Sequence, residues 1–151
     1  MSILGWYYLH TNGSLIYKPS PDAAADIRES PFAVALWPCD PTDRAGAWQI
    51  LVEAKAAGAN AERVAELATK WGGTDEDAQI YAGRVGAVLS RDGNQWCAKR
   101  KDFINIQESA SGFGDTALDA LAALCKDLGY KPAKLWGKSF PKLLEISAVP
   151  A

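Results

Sequence analysis

Between Asp102 and Gly129 the chain runs from an alternating segment through a glycine-bearing turn into an amphipathic helix, the unit around which the rest of the chain is read. Residues 103–108 read Phe-Ile-Asn-Ile-Gln-Glu, which puts Ile104 and Ile106 on one face of a strand and Asn105 and Gln107 on the other. One face of that strand is therefore expected to be buried. Gly112, Phe113, Gly114 and Asp115 follow as turn residues able to take positive φ, and Thr116-Ala117-Leu118-Asp119 has the spacing of a capping box. The period predicts a helix over 116–128, with Leu118, Leu121, Cys125 and Leu128 on one stripe, Ala117 and Leu124 widening it, and Gly129 as its stop.

Two more strands are expected upstream, over 85–91 and 94–100, on either side of the hairpin signal Asp92-Gly93. Three antiparallel strands covered by a helix then make up residues 85–129. At the other end, aromatic and β-branched runs over 6–11 and 15–18 flank Asn12-Gly13, a second hairpin signal. A lone hairpin is marginal in water, so this one is expected to join the C-terminal sheet or pack on it or its helix. Residues 19–40, rich in proline, are read as mostly irregular apart from a short helix over 23–28.

A central helical cluster fills 41–85. Asp40 is read as the N-cap and Pro41 as the first residue of a helix running to Ala57, which Gly58 ends. Asn60 caps the next, in which Val64, Leu67, Ala68 and Trp71 fall at helical spacing. After Gly72-Gly73, Thr74 and Asp77 form another capping box, and Ala78, Tyr81, Ala82 and Val85 repeat the spacing. The whole is read as a single α+β domain over 1–151: an antiparallel sheet covered by a C-terminal helix, plus a central cluster of short helices. Its expected core holds Trp6, Tyr8, Trp48, Leu51, Leu67, Trp71, Tyr81, Trp96, Ile104, Ile106, Leu118, Leu121 and Leu128.

Composition narrows the classes of function. No apolar run approaches the roughly 20 residues that span a bilayer, and the N-terminus lacks the basic region and cleavage site of a secretory signal, so a soluble, cytoplasmic protein is expected. Cys39, Cys97 and Cys125 are odd in number and far apart, which fits packing residues better than a disulfide framework or a zinc site. His10 is the only histidine, and no motif sets a serine or cysteine beside it. Asp40, Asp43, Asp75, Glu76 and Asp77 read as helix caps and first-turn acids. No catalytic residue, metal ligand or cofactor site is assigned, and the reading leans away from an enzyme.

Charge is uneven along the chain. Residues 1–82 carry a net charge of −5 and residues 83–151 a net charge of +3. The basic half raises nucleic-acid binding as the alternative, through Lys99, Arg100, Lys101, Lys131 and Lys134, with Trp96 and Phe103 beside the first three. The two helices around Gly72-Gly73 have the outline of a helix-turn-helix, but Asp75 and Glu76 would face phosphates there. An αα-hairpin accounts for them better.

The strand-strand-strand-helix order of residues 85–129, with Gly112 to Thr116 before an alanine-rich helix, resembles the last part of a double-stranded-RNA-binding domain, and more loosely the sheet of small antitoxin-like proteins. In that RNA-binding family the helix starts with lysines that grip phosphates; here the matching positions are Ala117, Leu118 and Asp119. The segments Trp6-Tyr7-Tyr8-Leu9-His10-Thr11-Asn12-Gly13, Gln95-Trp96-Cys97-Ala98 and 103–116 together resemble small uncharacterised proteins encoded by bacteriophages and prophages. That resemblance implies a bacterial host cytoplasm and an accessory role. A protein partner or a second copy of the chain is thus expected ahead of nucleic acid, with neither membrane nor metal.

Overall fold

The computed structural model describes residues 3–72, 74–84, 86–100 and 111–127. The chain is an α+β protein with two three-stranded antiparallel sheets and five helices among these residues. The expected strand over 103–108, Val85, Leu128, Gly129 and the lysines beyond them lie outside the described residues.

The first sheet grows from the N-terminal hairpin. Strands β1 (Gly5–His10) and β2 (Leu15–Lys18) pair through Trp6↔Lys18 to Leu9↔Leu15, and Gly13 takes the positive φ that the tight turn demands. The third strand is β3 (Ala33–Cys39), which pairs with β1 in the order β2-β1-β3. This corrects two expectations. Residues 19–40 hold a helix, α1 (Ala24–Glu29), and a seven-residue strand, and the hairpin completes a sheet of its own. The reason is that this strand is covered on both faces. Ala35 and Trp37 enter the main core, while Ala33 and Leu36 enter a smaller one with Trp6, Ala23 and Ile27 of the α1 side. A strand buried on both faces is apolar throughout and shows no alternation to read.

Next comes α2 (Arg44–Ala56), which packs against α3 (Ala61–Trp71), α4 (Asp75–Arg84) and the last helix, α5 (Ala117–Asp127). Ile50, Leu51, Val52, Glu53 and Ala54 are all buried, so the middle of this helix is packed all round. Its N-cap is Asp43, whose carboxylate accepts from the Gly46 amide, and not Asp40. Asp40 instead closes a turn, accepting from the Thr42 amide and hydroxyl at 2.9 and 2.6 Å. Pro41 therefore lies before the helix.

The expected caps at Asn60 and Thr74 are present. Asn60 accepts from the amides of Glu62 and Arg63, and Thr74 Oγ1 accepts from the Asp77 amide. The first sheet is tied to α3 at that same corner: Asn60 donates its amide to Gly13 and Arg63 Nε donates to the Leu15 carbonyl.

The second sheet has the order β4 (Ala87–Asp92), β5 (Gln95–Arg100), β6 (Ser111–Gly114). Its hairpin turns at Gly93-Asn94, one residue later than the sequence suggests. Gln79 of α4 donates to the Leu89 carbonyl and so occupies part of the β4 edge.

Gly112 and Gly114, read from sequence as a turn, are strand residues and do not take positive φ. What they provide is closeness. A Cβ on Gly112 would overlap the Ala120 carbonyl oxygen and the Leu124 nitrogen, and one on Gly114 would overlap Asp119 and Ala120. The backbone of α5 thus rests directly on β6.

Of the expected core, Trp6, Trp48, Leu51, Leu67, Tyr81, Trp96, Leu118 and Leu121 are buried. Tyr8 and Trp71 are half-buried, and Ile104, Ile106 and Leu128 lie outside the described residues. Leu36, Trp37 and Val52 belong to the core and went unread in the sequence, and Leu124, read as widening the apolar stripe of its helix, is buried with them. Leu121→Ala is expected to lower unfolding stability by about 2–5 kcal/mol, because the site is enclosed and cannot collapse. Gly112→Ala, which adds a single methyl, is expected to cost about 1–3 kcal/mol or more by lifting α5 from β6. Denaturant titration of both variants checks the two figures.

Candidate functional site

The widest cleft among the described pockets is a groove of about 390 Å³ between α2, α3 and the start of α5. Helical spacing assembles it. On α2, Trp48, Leu51 and Lys55 stand at i, i+3 and i+7; on α3, Ala61, Val64, Ala65, Ala68 and Thr69 stand at i, i+3, i+4, i+7 and i+8. Thr116, Ala117, Leu118 and Asp119 close one side and Asp75 stands at the start of α4. The floor is buried and apolar, formed by Trp48, Leu51, Val64, Ala117 and Leu118. Ala61 and Ala65, by contrast, are exposed on the α3 wall. Small side chains along that wall let another chain approach the helix backbone closely.

One ion pair crosses the groove. Lys55 Nζ donates to Asp119 Oδ1, linking α2 to the first turn of α5, and both side chains are about one-third exposed. Thr116 Oγ1 accepts from the Asp119 amide, so the threonine half of the capping box forms as read, while the aspartate turns outward to Lys55. Partial burial pushes the Asp119 carboxyl up, but the hydrogen bonds from Lys55 and Thr116 and the lysine charge outweigh it, and the group sits below the ordinary carboxylate value.

The cavity at the N-terminus of α2 is smaller, about 170 Å³, and joins Cys39, Ile50 and Trp71 to Asp40 and Arg44. Two ion pairs, Arg84 to Asp43 and Arg44 to Asp77, tie α2 to α4 beside it. Burial, with the Asp40 charge adding to it, raises the Cys39 thiol and holds it protonated.

A third polar group lies in the core itself. Glu53, wholly buried, accepts a hydrogen bond from Trp37 Nε1 at 3.3 Å. Burial and then the Glu53 charge push the Tyr81 hydroxyl well above its usual value, and the same two causes raise the Cys125 thiol. These groups face the packed interior and have no opening to solvent; their place is structural. Among the described residues no group of three or more His, Cys, Asp or Glu side chains could hold a metal ion.

Of the basic residues singled out from the sequence, the structure describes Lys99 and Arg100. Lys99 and Arg100 are neighbours on β5, so they project to opposite faces of the sheet; Lys99 shares its face with Val88, Cys97 and Phe113, and Arg100 faces the α5 side. Trp96 is buried on the α5 side, and the cation over its ring is Arg91, at 5.2 Å. Lys101, Lys131 and Lys134 lie outside the described residues. At the start of α5, where the RNA-binding resemblance calls for exposed lysines, Ala117 and Leu118 are buried and Asp119 is paired.

The sequence did not single out the groove, because its parts come from three separate helices. The apolar faces of α3 and α5 were readable; only the packing of α5 on α2 brings Lys55 to Asp119 across 64 residues.

Comparison with protein-family models, curated proteins and solved structures found no match to this chain. The fold and the groove define an α+β protein with an apolar cleft bridged by one surface ion pair. No helix among the described residues is long and apolar enough to cross a membrane.

The ion pair carries a pH dependence of known sign. The folded pKa of Asp119 is depressed from 3.8, so the fold favours the ionised form. Its stabilisation is fully present above the unfolded value and is lost as pH falls through the folded one. Because the pair is partly exposed, Asp119→Asn is expected to cost only about 0.2–1 kcal/mol at neutral pH. The difference between the two proteins should stay constant above about pH 5 and vanish below the folded pKa, as read by denaturant titration across pH.

Proposed function

We propose that this protein is a non-enzymatic accessory protein that binds another protein through the groove between α2, α3 and α5. The observation that carries this reading is the groove itself: a buried apolar floor opening between exposed helix walls. Clefts of this chemistry hold apolar side chains of a partner, with polar groups at the rim fixing orientation. The charged side chains lining it are Lys55, Asp75 and Asp119, of which the first and last hold each other, an arrangement suited to recognition more than to proton transfer.

The sequence resemblance to phage and prophage proteins supports an accessory role in a bacterial cytoplasm. Nucleic-acid binding is disfavoured by the division of Lys99 and Arg100 between two faces of the sheet and by the acids that open α4.

A hydrophobic dye and a salt series test the reading. Anilinonaphthalene sulfonate is expected to bind the folded chain saturably, and Ala65→Phe, which fills the groove from an exposed position, is expected to abolish that binding without loss of helical circular dichroism. Titration with single- and double-stranded RNA and DNA is expected to show no salt-steep affinity. A nucleic-acid affinity that falls roughly 10³- to 10⁵-fold between 50 and 200 mM salt, and disappears when Lys99, Arg100 and Lys101 become alanine, overturns the proposal. So does dye binding that Ala65→Phe leaves unchanged.

A further inference from the structure

The groove has a shape and a charge that say what kind of segment it takes. It follows α3 from Ala61 to Thr69, a rise of about 12 Å at 1.5 Å per residue, which matches the axial span of apolar residues at i, i+3, i+4 and i+7 on a docked helix. An extended strand over the same distance would present only two or so side chains to one face. The wall of Ala61, Ala65 and Ala68 admits a helix at close separation, and Trp48, Leu51, Val64 and Leu118 supply the apolar floor.

Charge then selects among helices. Within the groove Lys55 and Asp119 neutralise each other. At the end where α3 gives way to α4, Asp75 and Glu76 are both exposed, and among the described residues neither joins an ion pair. Their neighbour Asp77 is already engaged by Thr74 and Arg44. The residues that build the groove belong mainly to the acidic part of the chain, residues 1–82 with a net charge of −5. An apolar cleft lined at that end by Asp75, with Glu76 the next residue of α4, is complementary to an apolar stripe flanked by lysine or arginine.

Resting on the protein-binding reading above, we infer that the groove takes a basic amphipathic α-helix of a partner protein, its apolar stripe lying along α3 and its cationic end at Asp75 and Glu76. The probe is a synthetic two-heptad helix with leucine on one face and lysine on the other, compared with its glutamate counterpart. Titration into the full chain is followed by amide chemical shifts of Ala65, Ala68, Thr69 and Asp75.

The lysine peptide is expected to shift these amides saturably and to bind more tightly than the glutamate peptide. Ala65→Phe should abolish the shifts. Asp75→Asn with Glu76→Gln, both on the surface and leaving the Thr74–Asp77 cap intact, should weaken binding by about three- to tenfold and flatten its salt dependence. Equal binding of both peptides in the groove, or a lysine-peptide affinity indifferent to the double neutralisation, overturns the basic-helix inference while leaving the groove as a protein site. Shifts confined to other surfaces, or no binding by either peptide, overturn both.

Discussion

Everything else in this fold is arranged around the burial of α2. A helix whose middle five residues are all buried must be surrounded there by other elements, and β3 of the first sheet, α3, α4 and α5 supply the contacts. The buried pair Trp37 and Glu53 fixes how the first sheet meets that helix. A wholly buried carboxylate is costly unless hydrogen-bonded, so the Trp37 indole at 3.3 Å orients β3 against α2 as well as filling space. Two short sheets that would be marginal alone are stabilised by sharing this one interior.

On the far side, the contact between α5 and β6 is set by an absence of side chains. With no Cβ at Gly112 or Gly114, helix backbone and strand backbone touch, and α5 is drawn in far enough to reach α2 as well. The groove is a consequence of this. Where α5 begins, its first turn meets the faces of α2 and α3, leaving an apolar cleft that Lys55 and Asp119 bridge at the surface. The groove and the fold thus depend on the same close approach, and its apolar character comes from what the three helices leave uncovered.

Several local decisions were legible in the residues. The Asn12-Gly13 hairpin, the caps at Asn60 and Thr74, the amphipathic α3 and the helix after Thr116 all follow from interactions within a few residues, and all are present. Eight of the proposed core side chains are buried for the same reason, since period and hydrophobicity are local quantities. The choice of Asp43 over Asp40 as cap shows the limit of such reading. Both acids satisfy the local rule, and the turn closed by Asp40 with Thr42 decides between them.

By itself the sequence determined an α+β chain, its hairpins and most of its helices, and which face of α3, α4 and α5 is apolar, because dihedral preferences, caps and periodicity act at short range. Only the tertiary structure decided that residues 33–39 are a strand and that two glycines before α5 are a packing surface. Both depend on a partner distant in the chain: a strand buried on both faces loses its alternation, and a glycine that admits a helix looks like one that admits a turn. The groove belongs with them, since three helix faces become one site only when packed together.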